Sequence, residues 1–120
     1  MAEHNEIGQK GEQIASDFLK NKGYTILETN WRFKNLEADI IAQQNKTLII
    51  AEVKTRQSNY FGEPETFVTK QKQKNLIKAA HAYIERSNSD FEVRFDIISI
   101  IIGKNESKVN HIEDAFLFSH

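Results

Sequence analysis

Asp39, Glu52 and Lys54 are residues whose types and spacing could do chemistry together. They lie in LEADIIAQQNKTLIIAEVKTR, Leu36 to Arg56, which reads as two β-strands, Ala38 to Gln43 and Thr47 to Lys54, folded about a polar turn at Asn45 and Lys46. Asparagine tolerates the positive φ that tight hairpin turns demand, whereas lysine is a poorer second residue than glycine. A turn of two residues sets Gln44 against Thr47 and, further along, Asp39 directly across from Glu52. Facing carboxylates repel, so stability alone does not explain such a pair. A cation or a protonated partner should lie between them. Strand alternation sends Asp39, Glu52 and Lys54 to one face. The flanking residues are Leu48, Ile49, Ile50, Ala51 and Val53, surroundings in which an unpaired carboxylate is expensive.

Phosphodiester hydrolysis is the reaction that such a patch could serve. A divalent ion held by carboxylates polarises a phosphate and stabilises the departing oxygen. Oxygen ligands favour Mg²⁺ or Mn²⁺ over zinc, and the chain has no cysteine to shift that preference. Asp39 and Glu52 are the expected ligands, with the backbone carbonyl of Val53 a third. Lys54 could orient the attacking water or neutralise developing charge. The plain alternative is an ordinary cross-strand ion pair between Lys54 and an acid.

Several elements must position these groups. From Ile7 to Lys22 the apolar residues Ile7, Ile14, Ala15, Phe18 and Leu19 recur at helical spacing, and Gly23 supplies a C-cap. Glu12 falls at the margin of that stripe, beside Gly8 and Leu19, where it is either solvated or offered to the acidic patch as a holder of the ion or of one of its waters. Gly8 and Gly11 would allow a backbone or a phosphate to come close. Tyr24 to Phe33 reads as the first strand, with Lys34 and Asn35 turning into the hairpin. After the polar loop QSNYFGE and Pro64, Thr69 is an N-cap for a helix from Lys70 to about Arg86, apolar at Leu76, Ile77, Ala80, Tyr83 and Ile84. Lys70, Lys72, Lys74 and Lys78 oppose the dipole of that helix. They are either surface charge or, with Arg56, a phosphate-facing cluster. Phe91 to Ile102 is apolar on both faces, as in a sheet covered by helices, and a crossover through the second helix makes it a parallel neighbour of the Glu52 strand. Val109 to Ile112 is a short edge strand, and the ending AFLF should tuck against the body. The order is αβββαββ.

At 120 residues, 39% hydrophobic and 28% charged, the chain suits one folded domain spanning residues 1–120. A net charge of −1 gives no direct pointer to nucleic acid, so any such contact needs locally gathered cations. The opening MAEHNEIGQK has no apolar leader segment, and no run approaches the roughly 18 apolar residues of a membrane span. A cytoplasmic protein without a membrane partner is expected. His4, His81, His111 and His120 show no metal-ligand spacing.

The stretches GQKGEQIASDFLKNKGY, NWRF, EADIIA, LIIAEVKTR, FGEPETFVTKQK, RFDIISI and HIEDAF, in this order, resemble the YraN-like family of small bacterial proteins. That family is placed within the restriction-endonuclease-like, or PD-(D/E)xK, nuclease superfamily. The resemblance implies a restriction-endonuclease-like mixed β-sheet flanked by helices, with Glu12, Asp39, Glu52 and Lys54 at the superfamily's catalytic positions. The helix-borne Glu12 is similar to that of archaeal Holliday-junction resolvases. Asn35-Leu36 departs from the family pattern, which has a glycine before the glutamate of E-x-D, and this bears on the turn. The expected function is Mg²⁺-dependent hydrolysis of DNA, branched or damaged DNA included, with a homodimer left open. The competing readings are a non-catalytic nucleic-acid-binding module, with Arg56, Lys72 and Lys74 on phosphates and the acids vestigial, and an assembly factor using Tyr60, Phe61 and the AFLF tail.

Overall fold

The computed structural model describes residues 2–58 and 68–116. The chain runs α1 (Ala2–Asn21), β1 (Thr25–Phe33), β2 (Leu36–Gln44), β3 (Thr47–Gln57), α2 (Lys70–Ser87), β4 (Glu92–Ile102) and β5 (Ser107–Ile112). This is the expected order αβββαββ. The strands form one mixed sheet in the order β1-β2-β3-β4-β5, antiparallel except for the β3–β4 pair. Tyr60, Phe61, Pro64 and the last two residues of AFLF lie outside the described residues.

Each turn follows from local chemistry. Asn45 takes the left-handed φ of 55° between β2 and β3, and Lys46 is not left-handed, which removes the objection to lysine there. Gln44 opposes Thr47, as the two-residue turn requires. At the β1–β2 turn the left-handed residue is Lys34, at φ 57°, so Asn35 needs no glycine-like freedom. Helix α1 ends in a Schellman motif: Gly23, at φ 93°, donates to the Lys20 carbonyl at 3.0 Å, and Tyr24 to that of Leu19 at 3.0 Å. Its start corrects the expectation from Ile7, because the helix begins at Ala2. Polar residues form helices readily, so polarity alone was no reason to leave that turn uncoiled. Thr69 caps α2, its hydroxyl accepting the Lys72 amide at 3.2 Å.

The sheet is apolar on both faces. Ile40, Ala42, Ile49, Ala51, Ile98 and Ile100 pack on Ala15 and Leu19 of α1. Ile41, Leu48, Ile50, Phe95 and Ile97 pack on Leu76 and Ala80 of α2. The helices therefore cover opposite faces, each fully buried Leu, Ile or Phe side chain contributing about 1.5–3 kcal/mol. Ala115 and Phe116, the start of the AFLF ending, join the α2-side core. The Ala115 amide donates to the Phe95 carbonyl at 2.8 Å, and the Phe116 ring stacks on Phe95 at 4.8 Å. Among the described residues no helix is long and apolar enough to cross a membrane.

A buried ion cluster, not foreseen from sequence, fixes the β4–β5 edge. Asp96 is fully buried and accepts from Arg94 Nε at 2.9 Å, from an Arg94 terminal nitrogen at 2.8 Å and from the Asp114 amide at 3.2 Å. His111 Nε2 stands 2.7 Å from the same carboxylate, and the Arg94 guanidinium also reaches the Tyr24 hydroxyl at 2.7 Å. Burial alone would raise the Asp96 pKa, yet these partners hold it below the ordinary carboxylate value.

Helix α1 comes close to β3 at Gly11. A Cβ there would strike Thr55 Oγ1 and lie 2.9 Å from Thr55 Cγ2 and 3.0 Å from its Cβ. Gly11→Ala should therefore destabilise the protein by about 1–3 kcal/mol, although alanine is otherwise the better helix former by about 1 kcal/mol. Urea unfolding of Gly11→Ala and of Gly11→Ala/Thr55→Ala checks this. The second substitution removes two of the obstructing atoms and should restore part of the loss.

Candidate active site

The pairing of β2 with β3 runs from Gln44–Thr47 to Ile40–Ala51, although both strands continue. Beyond that rung β2 stays with β1, as far as Leu36 opposite Phe33, while β3 stays with β4, as far as Gln57 opposite Ile102. The sheet forks there, and Asp39 and Glu52 are the first residues past the split. The expected cross-strand rung is replaced by a side-chain bond, with the Val53 amide donating to Asp39 Oδ2 at 2.8 Å. Val53 thus meets the carboxylate through its N–H, and its carbonyl, the expected ligand, belongs to the next peptide along β3.

Both helices contribute to the fork. Ile7, Gly8 and Glu12 of α1 line a cleft of about 290 Å³ with Asp39, Glu52, Val53 and Thr55. Gly8 faces open space there, whereas Gly11 is the residue against which Thr55 closes. From the other side Lys72 of α2 reaches Glu52 Oε1 at 2.7 Å. Glu52 is 5% exposed, so this pair is largely removed from water at one end. Lys54 shares the Glu52 face by alternation and is half-buried, as are Arg56 and Glu12. Lys70 and Lys74 are exposed on the α2 surface. The cluster of lysines is thus divided, Lys72 turning to the acids and the other two to solvent.

Charge in the fork is under strain. Burial first, and then the Glu52 carboxylate, push the Asp39 carboxyl up to about 6, against the Val53 amide and the Lys72 ammonium. Glu12 is also raised, foremost by burial; a hydrogen bond with Asn30 lowers it and Asp39 adds to the rise. Burial would lower the Lys72 pKa, but Glu52 beside it, with Asp39 and Glu37, raises it overall. Asn30 was missed from sequence. It lies between the Thr29–Ile40 and Trp31–Ala38 rungs, in register with Asp39, and adopts φ 50°. The Lys34-Asn35 turn, counted back along β1, already pointed to that register.

Two carboxylates with oxygen donors only are suited to a hard dication that keeps much of its water. Among the described residues no three acidic or imidazole groups close on one point. Glu12 shares the cleft with the Asp39–Glu52 pair and feels the Asp39 charge. A larger open depression of about 560 Å³, lined by His81, Ile84, Glu85, Phe91 and Val93, brings a single carboxylate to its wall.

The molecule is thus a mixed α/β protein, two helices enclosing a five-stranded sheet that splits at a carboxylate pair. The sequence model described as Uncharacterised protein family UPF0102 matches residues 11–100, and the chain belongs to that family. It is 51% identical over 118 residues to the UPF0102 protein of Christiangramia forsetii, covering 98% of this chain and 99% of that one. UPF0102 protein FP2501 of Flavobacterium psychrophilum is 50% identical over 116 residues, 97% of this chain and 98% of its own. The Bacteroides thetaiotaomicron UPF0102 protein is 43% identical over 116 residues, with 97% and 96% covered.

The coupling in the fork is directly measurable. Carboxyl ¹³C titration should place the Asp39 midpoint near 6. Glu52→Gln should lower it and Lys72→Met should raise it. Since the folded state holds this proton more tightly, Asp39 favours folding below pH 4, and that contribution is lost as pH rises through about 6. An ordinary midpoint near pH 4, indifferent to Glu52→Gln, would mean that the carboxylates do not interact.

Proposed function

We propose that this protein is a metal-dependent nuclease of the restriction-endonuclease-like, PD-(D/E)xK superfamily, hydrolysing phosphodiester bonds in DNA in the cytoplasm. The observation that carries the reading is the Asp39–Glu52 pair at the fork, with the Asp39 carboxyl raised to about 6. A structural acid in this fold is treated differently, since Asp96 is held below its ordinary value by Arg94, His111 and a backbone amide. The fork leaves its carboxylates in mutual repulsion, as suits a site that gains a cation.

Asp39 and Glu52 would hold Mg²⁺ or Mn²⁺, which when bound supplies Lewis-acid polarisation of the phosphate and stabilises the leaving oxygen. The Val53 amide fixes one Asp39 oxygen and so aims the other. Lys54, on the same face, is placed to orient a water or to meet charge developing on phosphate. Glu12, backed by Asn30, would hold a water at the α1 side of the cleft. Lys72 supplies a positive charge beside Glu52, and a bound dication would compete with its ammonium. Lys70 and Lys74, exposed on the same helix, and Arg56 are assigned to the phosphate backbone.

Incubation with branched, single-stranded and duplex DNA in Mg²⁺ or Mn²⁺ tests this reading. Cleavage should need the metal and fall more than about 100-fold in Asp39→Ala and in Glu52→Ala, since even outer partners of a bound metal cost about 10–100-fold. Circular dichroism should report a retained fold. Variants that cut as well as the parent would overturn the assignment. Salt-sensitive binding indifferent to metal and without cleavage would favour a binding module instead.

A further inference from the structure

We propose that Trp31 to Lys34 of β1, backed by Tyr83 and Arg86 of α2, form a ledge on which an unpaired base of a DNA strand stacks. The inference rests on reading the fork as a phosphodiester site and deepens it, because it makes the substrate single-stranded or locally unpaired DNA.

β1 is an edge strand, and its last residues run on from the fork. Asn30 stands in register with Asp39, Trp31 opposite Ala38 and Phe33 opposite Leu36. At about 3.3 Å per residue, Phe33 is roughly 10 Å from Asn30, about three base steps of a stacked strand at 3.4 Å each. Trp31 is anchored edge-on against Tyr83, with ring centroids 5.5 Å apart. Tyr83 is in turn tied to Glu28 through its hydroxyl at 3.4 Å. Phe33 lies nearly parallel to Trp31, at 6.2 Å and 20°. Two cations attend its ring, with Arg86 Cζ 4.6 Å and Lys34 Nζ 5.3 Å from its centroid.

This arrangement matches a single-stranded nucleic acid in two independent ways. Near-parallel aromatic planes with a guanidinium over one ring offer π-faces to a base, whatever its identity. Arg32, Lys34 and Arg86 also gather three positive charges around the hairpin end, against Glu37, in a chain whose net charge is −1. The Arg32–Glu37 bridge, 3.5 Å long between side chains 76% and 58% exposed, is weak enough to yield to a phosphate. A duplex keeps its bases stacked on each other, so only an unpaired stretch can use the ledge.

Trp31 is the sole tryptophan, so its fluorescence reports on the ledge directly. An oligodeoxythymidylate, an abasic strand of equal length and a blunt duplex are each titrated in EDTA, where metal-dependent cleavage cannot occur. Thymidylate should quench Trp31 and bind roughly tenfold or more tightly than the abasic strand. Phe33→Ala should lose that advantage, and Phe33→Tyr, which keeps a ring in place, should retain it. Equal binding of abasic and thymidylate strands, an undiminished advantage in Phe33→Ala, or stronger quenching by duplex would overturn the ledge. These readouts need no metal, so the ledge can fail while Asp39-dependent cleavage stands. Conversely, the ledge can hold if Asp39→Ala cuts normally.

Discussion

The dominant constraint in this molecule is the repulsion between two carboxylates that the main chain holds at the point where two strands part company. Asp39 and Glu52 follow the last β2–β3 rung, so each sits on a strand still fixed by its other neighbour. Neither can retreat without breaking a ladder. The Val53 amide and the Lys72 ammonium reduce the cost but do not remove it, since the Asp39 carboxyl remains raised to about 6. Asp96 presents the contrast, its carboxylate satisfied on both oxygens and held ionised.

The two helices are tied to this constraint by different means. α1 approaches through an absence, because Gly11 has no Cβ and Thr55 occupies the space that one would fill. That contact seats Glu12 at the cleft rather than above it. α2 approaches through charge. Its first turn carries no acid, and its lysines oppose the helix dipole. For Lys72 the opposition is offset by the buried Glu52 carboxylate, so helix orientation and site electrostatics support each other. The α2-side core, with Leu76 and Ala80 against Leu48 and Ile50, sets the height at which that ammonium meets the sheet.

Much of this was legible in the residues. The Asn45-Lys46 turn gave the β2–β3 register, and strand parity gave the two apolar faces, because both follow from local rules with a fixed period. What escaped depended on phase or on distance. Three alternating lysines open α2, and only Lys72 precedes the buried Leu76 by four residues and so shares its face. That signal was present but unused. Asn30 likewise followed from counting back through the Lys34-Asn35 turn. The Asp96 cluster had no such signal. Arg94 and Asp96 alternate within a run of β-formers, but their partners Tyr24 and His111 come from distant segments that only the folded sheet brings close. The reach of α1 back to Ala2 was hidden because a polar opening resembles a frayed one.

Two acids on one sheet therefore act on folding with opposite signs. Asp96, lowered by its partners, lends stability above the ordinary carboxylate range and withdraws it as pH falls. Asp39, raised, does the reverse between about pH 4 and pH 6. The scaffold at the β4–β5 edge is thus most secure under the conditions in which the fork is most strained. Since the covalent frame is shared, the strain at Asp39 is carried by ladders and cores that do not need it. A side chain that the fold supports but does not require accords with the proposed site, in which a cation would relieve the repulsion between Asp39 and Glu52.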